Sequence, residues 1–243
     1  MSDLKPGGFR ITKKAMEIWK LPKGSRVLDV GCGTGETVEL LEKEYGFVCS
    51  GIDLSMARIK EGKAGNPNLD IAYGDGEFLD GFRSFSFDGV VMECTLSLIN
   101  LPDEALHEAW CVLKKGGKLF LSDLYIKNPD PEFIKALRIE AERQNSRPRK
   151  EGECSTDCEE EHKSKPVYFR SCGRFLIVPL IEELAEIGYR NIAWKDCSPE
   201  LESFVAEKLM RDGTLEGCLC GEALHPKDRF KTGYFMLTAE KPF

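Results

Sequence analysis

From Arg26 to about Tyr125, short apolar runs alternate with stretches whose apolar residues recur at helical spacing. Arg26-Val27-Leu28-Asp29-Val30 predicts a strand, and Glu36 to Tyr45, with Val38, Leu40 and Leu41, a helix. Phe47 to Asp53 reads as a second strand and Ser55 to Lys63 as a helix capped by Ser55. Leu69 to Tyr73 and Phe87 to Met92 add two strands. Asp103 to Leu113 is a helix stopped by Gly116-Gly117, and Lys118 to Leu124 is a fifth strand. Strands that alternate with helices imply right-handed crossovers and a parallel sheet covered on both faces, a doubly wound α/β fold.

After Tyr125 the pattern loosens. Pro131 to Gln144 predicts a helix, and Asn145 to Ser171 a long polar segment bearing cysteines. Arg174 to Ile187 carries Leu176, Ile177, Leu180, Ile181 and Leu184 at helical spacing and ends at Gly188. Asn191 to Lys195 predicts a strand, Pro199 to Arg211 a helix and Tyr234 to Ala239 a last strand. The segment 128–227 reads as a cap and insertions on the sheet, followed by the last strand within 228–243.

The chain of 243 residues is 42% hydrophobic and 31% charged, values of a globular protein with a sizeable core. No run approaches the roughly 18 apolar residues of a membrane span, and the start lacks the apolar stretch of a signal peptide, so a cytoplasmic location is expected. A net charge of -7 argues against nucleic acid and anionic membranes as partners and favours a small molecule. Nothing in the sequence indicates an oligomeric state.

The turn Asp29-Val30-Gly31-Cys32-Gly33-Thr34-Gly35 joins the first strand to its helix, where residues without Cβ let a ligand approach the main chain. A turn that binds pyrophosphate reads Gly-x-Gly-x-x-Gly, whereas Gly31-x-Gly33-x-Gly35 closes one residue sooner. That favours S-adenosyl-L-methionine, which has no phosphates and presents a carboxylate and an ammonium. Asp29 is placed to attract the ammonium. Asp53, at the end of the second strand, is placed to accept from both ribose hydroxyls, or simply to cap the helix at Ser55. Asp75, with Gly76 and Glu77, follows the third strand and faces the adenine amino group, or is a turn residue. Leu54 and Phe78 flank the base, and Glu93-Cys94-Thr95 lines the donor methyl or the substrate.

Val27 to Gly35, Gly51-Ile52-Asp53-Leu54-Ser55, Gly74-Asp75, Phe87-Asp88-Gly89-Val90-Val91 and Leu113-Lys114-Lys115-Gly116-Gly117 together resemble the successive motifs of Rossmann-like (class I) S-adenosylmethionine-dependent methyltransferases. The resemblance implies one methyltransferase domain over 1–243, with its cofactor-binding core at 9–125. It also implies a seven-stranded, mostly parallel sheet with an antiparallel last strand. Because the methyl donor carries most of the chemistry, no catalytic base is assigned.

Ten cysteines are many for such a chain, and Cys154, Cys158, Cys172, Cys197, Cys218 and Cys220 crowd its second half. Soft thiolates suit zinc or thiophilic metalloids, so Cys154, Cys158, Cys218 and Cys220 are candidate ligands; Cys172 and Cys197 also suit plain burial. The order of Gly117 to Tyr125, Gly152-Glu153-Cys154, Gly188-Tyr189 and Gly217-Cys218 is similar to that of arsenite methyltransferases. That resemblance makes Cys154 and either Cys218 or Cys220 arsenic ligands. A further family cysteine, at the start of the helix after the glycine turn, is Val38 here. Three classes follow: transfer of methyl to a small molecule or metalloid, a cofactor-binding module with structural zinc on the thiols, and methylation of a protein. An oxidoreductase on the same fold is disfavoured by the glycine spacing.

Overall fold

The computed structural model describes residues 5–145, 167–215 and 230–243. Five strands, β1 (Arg26–Val30), β2 (Val48–Asp53), β3 (Ile71–Tyr73), β4 (Phe87–Glu93) and β5 (Leu113–Ile126), lie parallel in the order β3-β2-β1-β4-β5. Two-residue strands β6 (Arg170–Ser171) and β7 (Arg174–Phe175) form a hairpin whose Phe175 pairs with Tyr125. Strand β8 (Arg190–Asp196) pairs with β9 (Thr232–Glu240), which runs antiparallel along β5 from Lys118 opposite Glu240 to Ile126 opposite Thr232.

The sheet is thus α/β and mostly parallel with an antiparallel last strand, but among the described residues it has nine strands where seven are expected. The extra pair is the β6–β7 hairpin, whose strands are too short to show alternation. Its turn residues Cys172 and Gly173 both take left-handed backbone, with φ of 49° and 67°, as a two-residue hairpin turn requires. The same hairpin shortens the helix expected from Arg174. Arg174 and Phe175 are spent on β7, Leu176 is extended, and the helix runs over Ile177–Ile187.

Helices α1 (Phe9–Trp19), α2 (Glu36–Leu40) and α3 (Met56–Gly65) precede α4 (Pro102–Val112), α5 (Pro131–Asn145), α6 (Ile177–Ile187) and α7 (Ser198–Asp212). Where one helix is expected to Tyr45, α2 gives way to a wider π turn over Leu41–Tyr45, which keeps both Leu40 and Leu41 buried. Ser55 caps α3 by accepting from the Arg58 N–H at 3.4 Å.

The period of two along each strand divides the core into two layers. Leu28, Val30, Val90, Met92, Leu119 and Leu121 face α4 and α6, packed on Leu106, Ala109, Leu180 and Leu184. Val27, Cys49, Val91 and Phe120 face the other way, onto Ile11, Trp19, Val38, Leu41 and Ile59. Burial on both faces explains why these strands read as nearly continuous apolar runs.

Helix α3 lies so close to the glycine turn that a Cβ on Gly62 would stand 2.1 Å from the Thr34 carbonyl oxygen. Alanine ordinarily favours a helix interior over glycine by about 1 kcal/mol. Here the clash is with backbone and outweighs that gain. Gly62→Ala is expected to destabilise the protein by about 1–3 kcal/mol in urea unfolding. Gly65→Ala, with open space around the new methyl, is expected to be neutral or stabilising.

Candidate functional site

The register of three neighbouring strands builds the site. Asp29 on β1 lies beside Gly51 on β2 and Val91 on β4. Asp53 and Glu93 follow those partners by two residues, so all three carboxylates leave the same face of the sheet at its carboxyl-terminal edge. Between them the chain turns sharply. The N–H groups of Gly31 and Cys32 both donate to the Ile52 carbonyl, at 2.8 and 2.9 Å, with Gly31 at φ 78°. A Cβ at Gly31 would stand 2.1 Å from the Thr95 hydroxyl, so the turn and the loop after β4 are in contact.

Each acid has its own support. Asp53 accepts from the Gly33 N–H at 2.8 Å through one oxygen and from the Ser55 N–H at 2.7 Å through the other. Helix capping and ligand binding are therefore compatible, because each oxygen keeps a second lone pair. Glu93 is enclosed by the Lys5 ammonium and by the hydroxyls of Thr12, at 2.9 Å, and Thr37, at 3.2 Å. Asp29 is buried, and its carboxyl is pushed up to about 7, first by burial and then by the charges of Glu93 and Asp53, against the pull of Lys5.

Asp29, Gly31, Cys32, Gly33, Asp53, Leu54, Asp75, Gly76, Glu77 and Glu93 line one cavity of about 1070 Å³. Gly35 is not in its wall; at φ 83° it starts α2 and faces Leu69 and Ile71. Phe78 is also outside the wall, exposed on the turn after β3. One Asp75 oxygen accepts from the Glu77 N–H at 2.9 Å, so it is a turn residue as well as a wall residue. Glu77 is occupied differently from expectation, accepting from the N–H groups of Asn100, at 2.7 Å, and Leu101, at 3.2 Å.

The wall also holds residues that the local pattern does not reveal, including Lys5, Thr37, Arg58 and Leu98-Ile99-Asn100. The loop carrying the last three is pinned from below. Asp123 accepts from the Ser97 N–H at 2.9 Å, and the Arg170 guanidinium donates to the carbonyls of Leu96, Ser97, Ile99 and Asn100. Burial pushes the Asp123 carboxyl up to about 6, although these N–H donors and Arg170 pull it down. Cys94, with left-handed backbone at φ 53°, bonds Tyr234 at 2.9 Å, and the Tyr234 hydroxyl donates to Ser122 at 3.0 Å. Burial raises the Cys94 and Cys32 thiols well above the ordinary range.

Cys154, Cys158, Cys218 and Cys220 lie outside the described residues. Among the described residues no group of three or more His, Cys, Asp or Glu is placed to hold a metal ion, and no helix is long and apolar enough to cross a membrane. Cys197 is buried in the core, while Cys172 is exposed at the hairpin tip rather than buried.

A crowded set of buried acids fits a ligand that is itself cationic, and an open-backed glycine turn fits one that approaches the main chain. Residues 28–121 match the family described as "Methyltransferase domain". That stretch, under half of the chain, is similar to a methyltransferase domain. The sulfonium and ammonium of S-adenosylmethionine would suit the acids of this pocket. Mouse arsenite methyltransferase is 32% identical over 130 residues, 47% of this chain and 34% of that protein. Demethylmenaquinone methyltransferase of Renibacterium salmoninarum is 38% identical over 100 residues, 41% of each chain. The chain therefore spans well under half the length of these curated relatives. Phosphoethanolamine N-methyltransferase 2 of Haemonchus contortus, solved with S-adenosyl-L-methionine, shares the fold at a TM-score of 0.65 and 17% identity, over 98% of this chain and 54% of that one.

The methyltransferase domain should show the titration of Asp29 in its cofactor affinity. A cation gains most from the ionised carboxylate, which is present above about 7 and lost below it. Affinity for S-adenosylmethionine is expected to rise between pH 6 and 8, with a proton released on binding near pH 6.5. Calorimetry in buffers of different ionisation enthalpy measures that release. Asp29→Asn is expected to bind about tenfold or more weaker and to lose the pH dependence.

Proposed function

We infer that this chain transfers the methyl group of S-adenosylmethionine to a small-molecule acceptor. The convergence of Asp29, Asp53 and Glu93 on one side of a cavity of about 1070 Å³ carries the reading. Ligand pockets commonly enclose roughly 300–1,000 Å³, so this one has room for the cofactor and an acceptor beside it. Acceptor access is assigned to the wall of Leu98, Ile99 and Asn100, which also borders a second cavity of about 350 Å³ next to Arg170, Glu140 and Cys172.

When bound, the cofactor supplies a methyl group already activated by its sulfonium charge. The chain's own work is to hold and orient. Asp53 fixes the sugar, Asp29 offers a negative charge to the amino-acid end, and the pinned loop over 96–100 shapes the acceptor side. Orientation of this kind can supply about 7–11 kcal/mol of a barrier. Neither Cys94, which keeps its proton, nor Glu93, which is committed to Lys5, Thr12 and Thr37, is offered as a base.

A metalloid acceptor is the second reading. It is favoured by the similarity to mouse arsenite methyltransferase and by Cys154, Cys158, Cys218 and Cys220, whose thiolates would hold trivalent arsenic with its lone pair free.

Incubation of the protein with methyl-labelled S-adenosylmethionine and either a panel of small amines, thiols and phenols or arsenite tests both readings. The expected result is S-adenosylhomocysteine formed together with a labelled small product. A labelled protein in a lysate, with no small product, would replace the acceptor class. Stoichiometric zinc without turnover would instead make the chain a binding module.

A further inference from the structure

The segment before α1 reaches into the cofactor pocket. Gly7 and Gly8, at φ 72° and 52°, bend the chain just ahead of Phe9, and the Gly8 N–H closes the bend on the Lys5 carbonyl at 3.1 Å. Lys5 is thereby directed inward. Its ammonium lies on Glu93, donates to Thr37 at 2.9 Å and Thr12 at 3.2 Å, and sits 5.2 Å from the Phe9 ring centre. The side chains of Lys5 and Glu93 are only 11% and 5% exposed. Lysine almost never reaches such burial without a partner, and this one also forms part of the cavity wall.

Charge explains what this position can read. The amino-acid end of the cofactor is a zwitterion, with one ammonium and one carboxylate close together. Asp29 answers the ammonium. A carboxylate entering a pocket of three acids is repelled unless a cation stands among them. Among the described wall residues two are cations, and Arg58 is exposed on α3 beside Gly33, on the Asp53 side. Lys5 instead lies between Glu93 and Thr37, beside Asp29. We propose that Lys5 is the counter-ion for the cofactor's carboxylate and that its pair with Glu93 makes this subsite complementary to an α-amino acid rather than to a simple cation.

The inference rests on the S-adenosylmethionine reading, and a binding cycle separates the two. Calorimetry would compare S-adenosylmethionine, its decarboxylated form, S-adenosylhomocysteine and methylthioadenosine, which lacks the amino-acid part, on wild type, Lys5→Met and Lys5→Arg. Wild type is expected to bind S-adenosylmethionine at least tenfold tighter than the decarboxylated form. In Lys5→Met that preference should fall to within twofold, S-adenosylhomocysteine should weaken at least tenfold and methylthioadenosine should change less than twofold. Lys5→Arg should restore most of the loss.

Parallel loss of methylthioadenosine binding would show a merely structural lysine and overturn the proposal. So would unchanged or tighter binding of S-adenosylhomocysteine to Lys5→Met. Should Lys5→Met fail to fold, the wild-type comparison still decides, since equal affinity for S-adenosylmethionine and its decarboxylated form leaves no counter-ion to assign. If wild type binds none of the four ligands, the cofactor reading itself falls.

Discussion

The structure is organised around like charges held too close together. Asp29, Asp53 and Glu93 leave one face of the sheet from three adjacent strands, and the register that places them there is the same register that forms the core. For Asp29, burial first and then the charges of Glu93 and Asp53 push the carboxyl up to about 7, against the pull of Lys5. Few folds would keep such a group without a use. Here the surrounding parts each relieve some of the strain: Gly33 and Ser55 offer N–H donors to Asp53, and Lys5, Thr12 and Thr37 enclose Glu93. A cationic ligand relieves the rest.

The opposite wall uses a different device. Arg170, Asp123 and Glu77 spend their polar groups on the backbone of the loop after β4, so a segment without regular structure is held from three sides. Buried networks of this kind rigidify when every member is satisfied. The hairpin that supplies Arg170 packs Phe175 beneath the same region, joining the acceptor side to the core. The side of the cavity that holds the acids thus depends on charge balance, and the opposite side on backbone hydrogen bonds from side chains.

Much of this was legible in the order of residues. Alternation along β1, β2 and β4 placed Asp29, Asp53 and Glu93 at strand ends, and the closely spaced glycines marked the turn between them. Local pattern fails where contact is not local. Lys5 meets Glu93 across 88 positions, with nothing in its neighbourhood except two glycines to suggest that it turns inward. The β6–β7 hairpin escaped because two residues cannot display a period, and its Arg174-Phe175 then passed for the start of α6. Glu77 lines the cavity beside Asp75, and one oxygen of its carboxylate also accepts from the loop at Asn100 and Leu101. Phe78 sits beside these residues in sequence but outside the cavity. The thiols of Cys154, Cys158, Cys218 and Cys220 lie beyond the described residues, so their part in the chemistry rests on the sequence.

The bond between Cys94 and Tyr234 spans 140 positions, and β9 brings it about by lying against β5 along nearly its whole length. The wall at Cys94 is therefore backed by a buried hydroxyl delivered by the last strand, while another part of the wall is an ammonium delivered from ahead of the first helix. During synthesis, β1 to β4 emerge with their acids and glycine turn long before Tyr234 does. A nascent chain can assemble the outline of the pocket early, but the support behind Cys94 comes only after β9 has left the ribosome and added itself to β5.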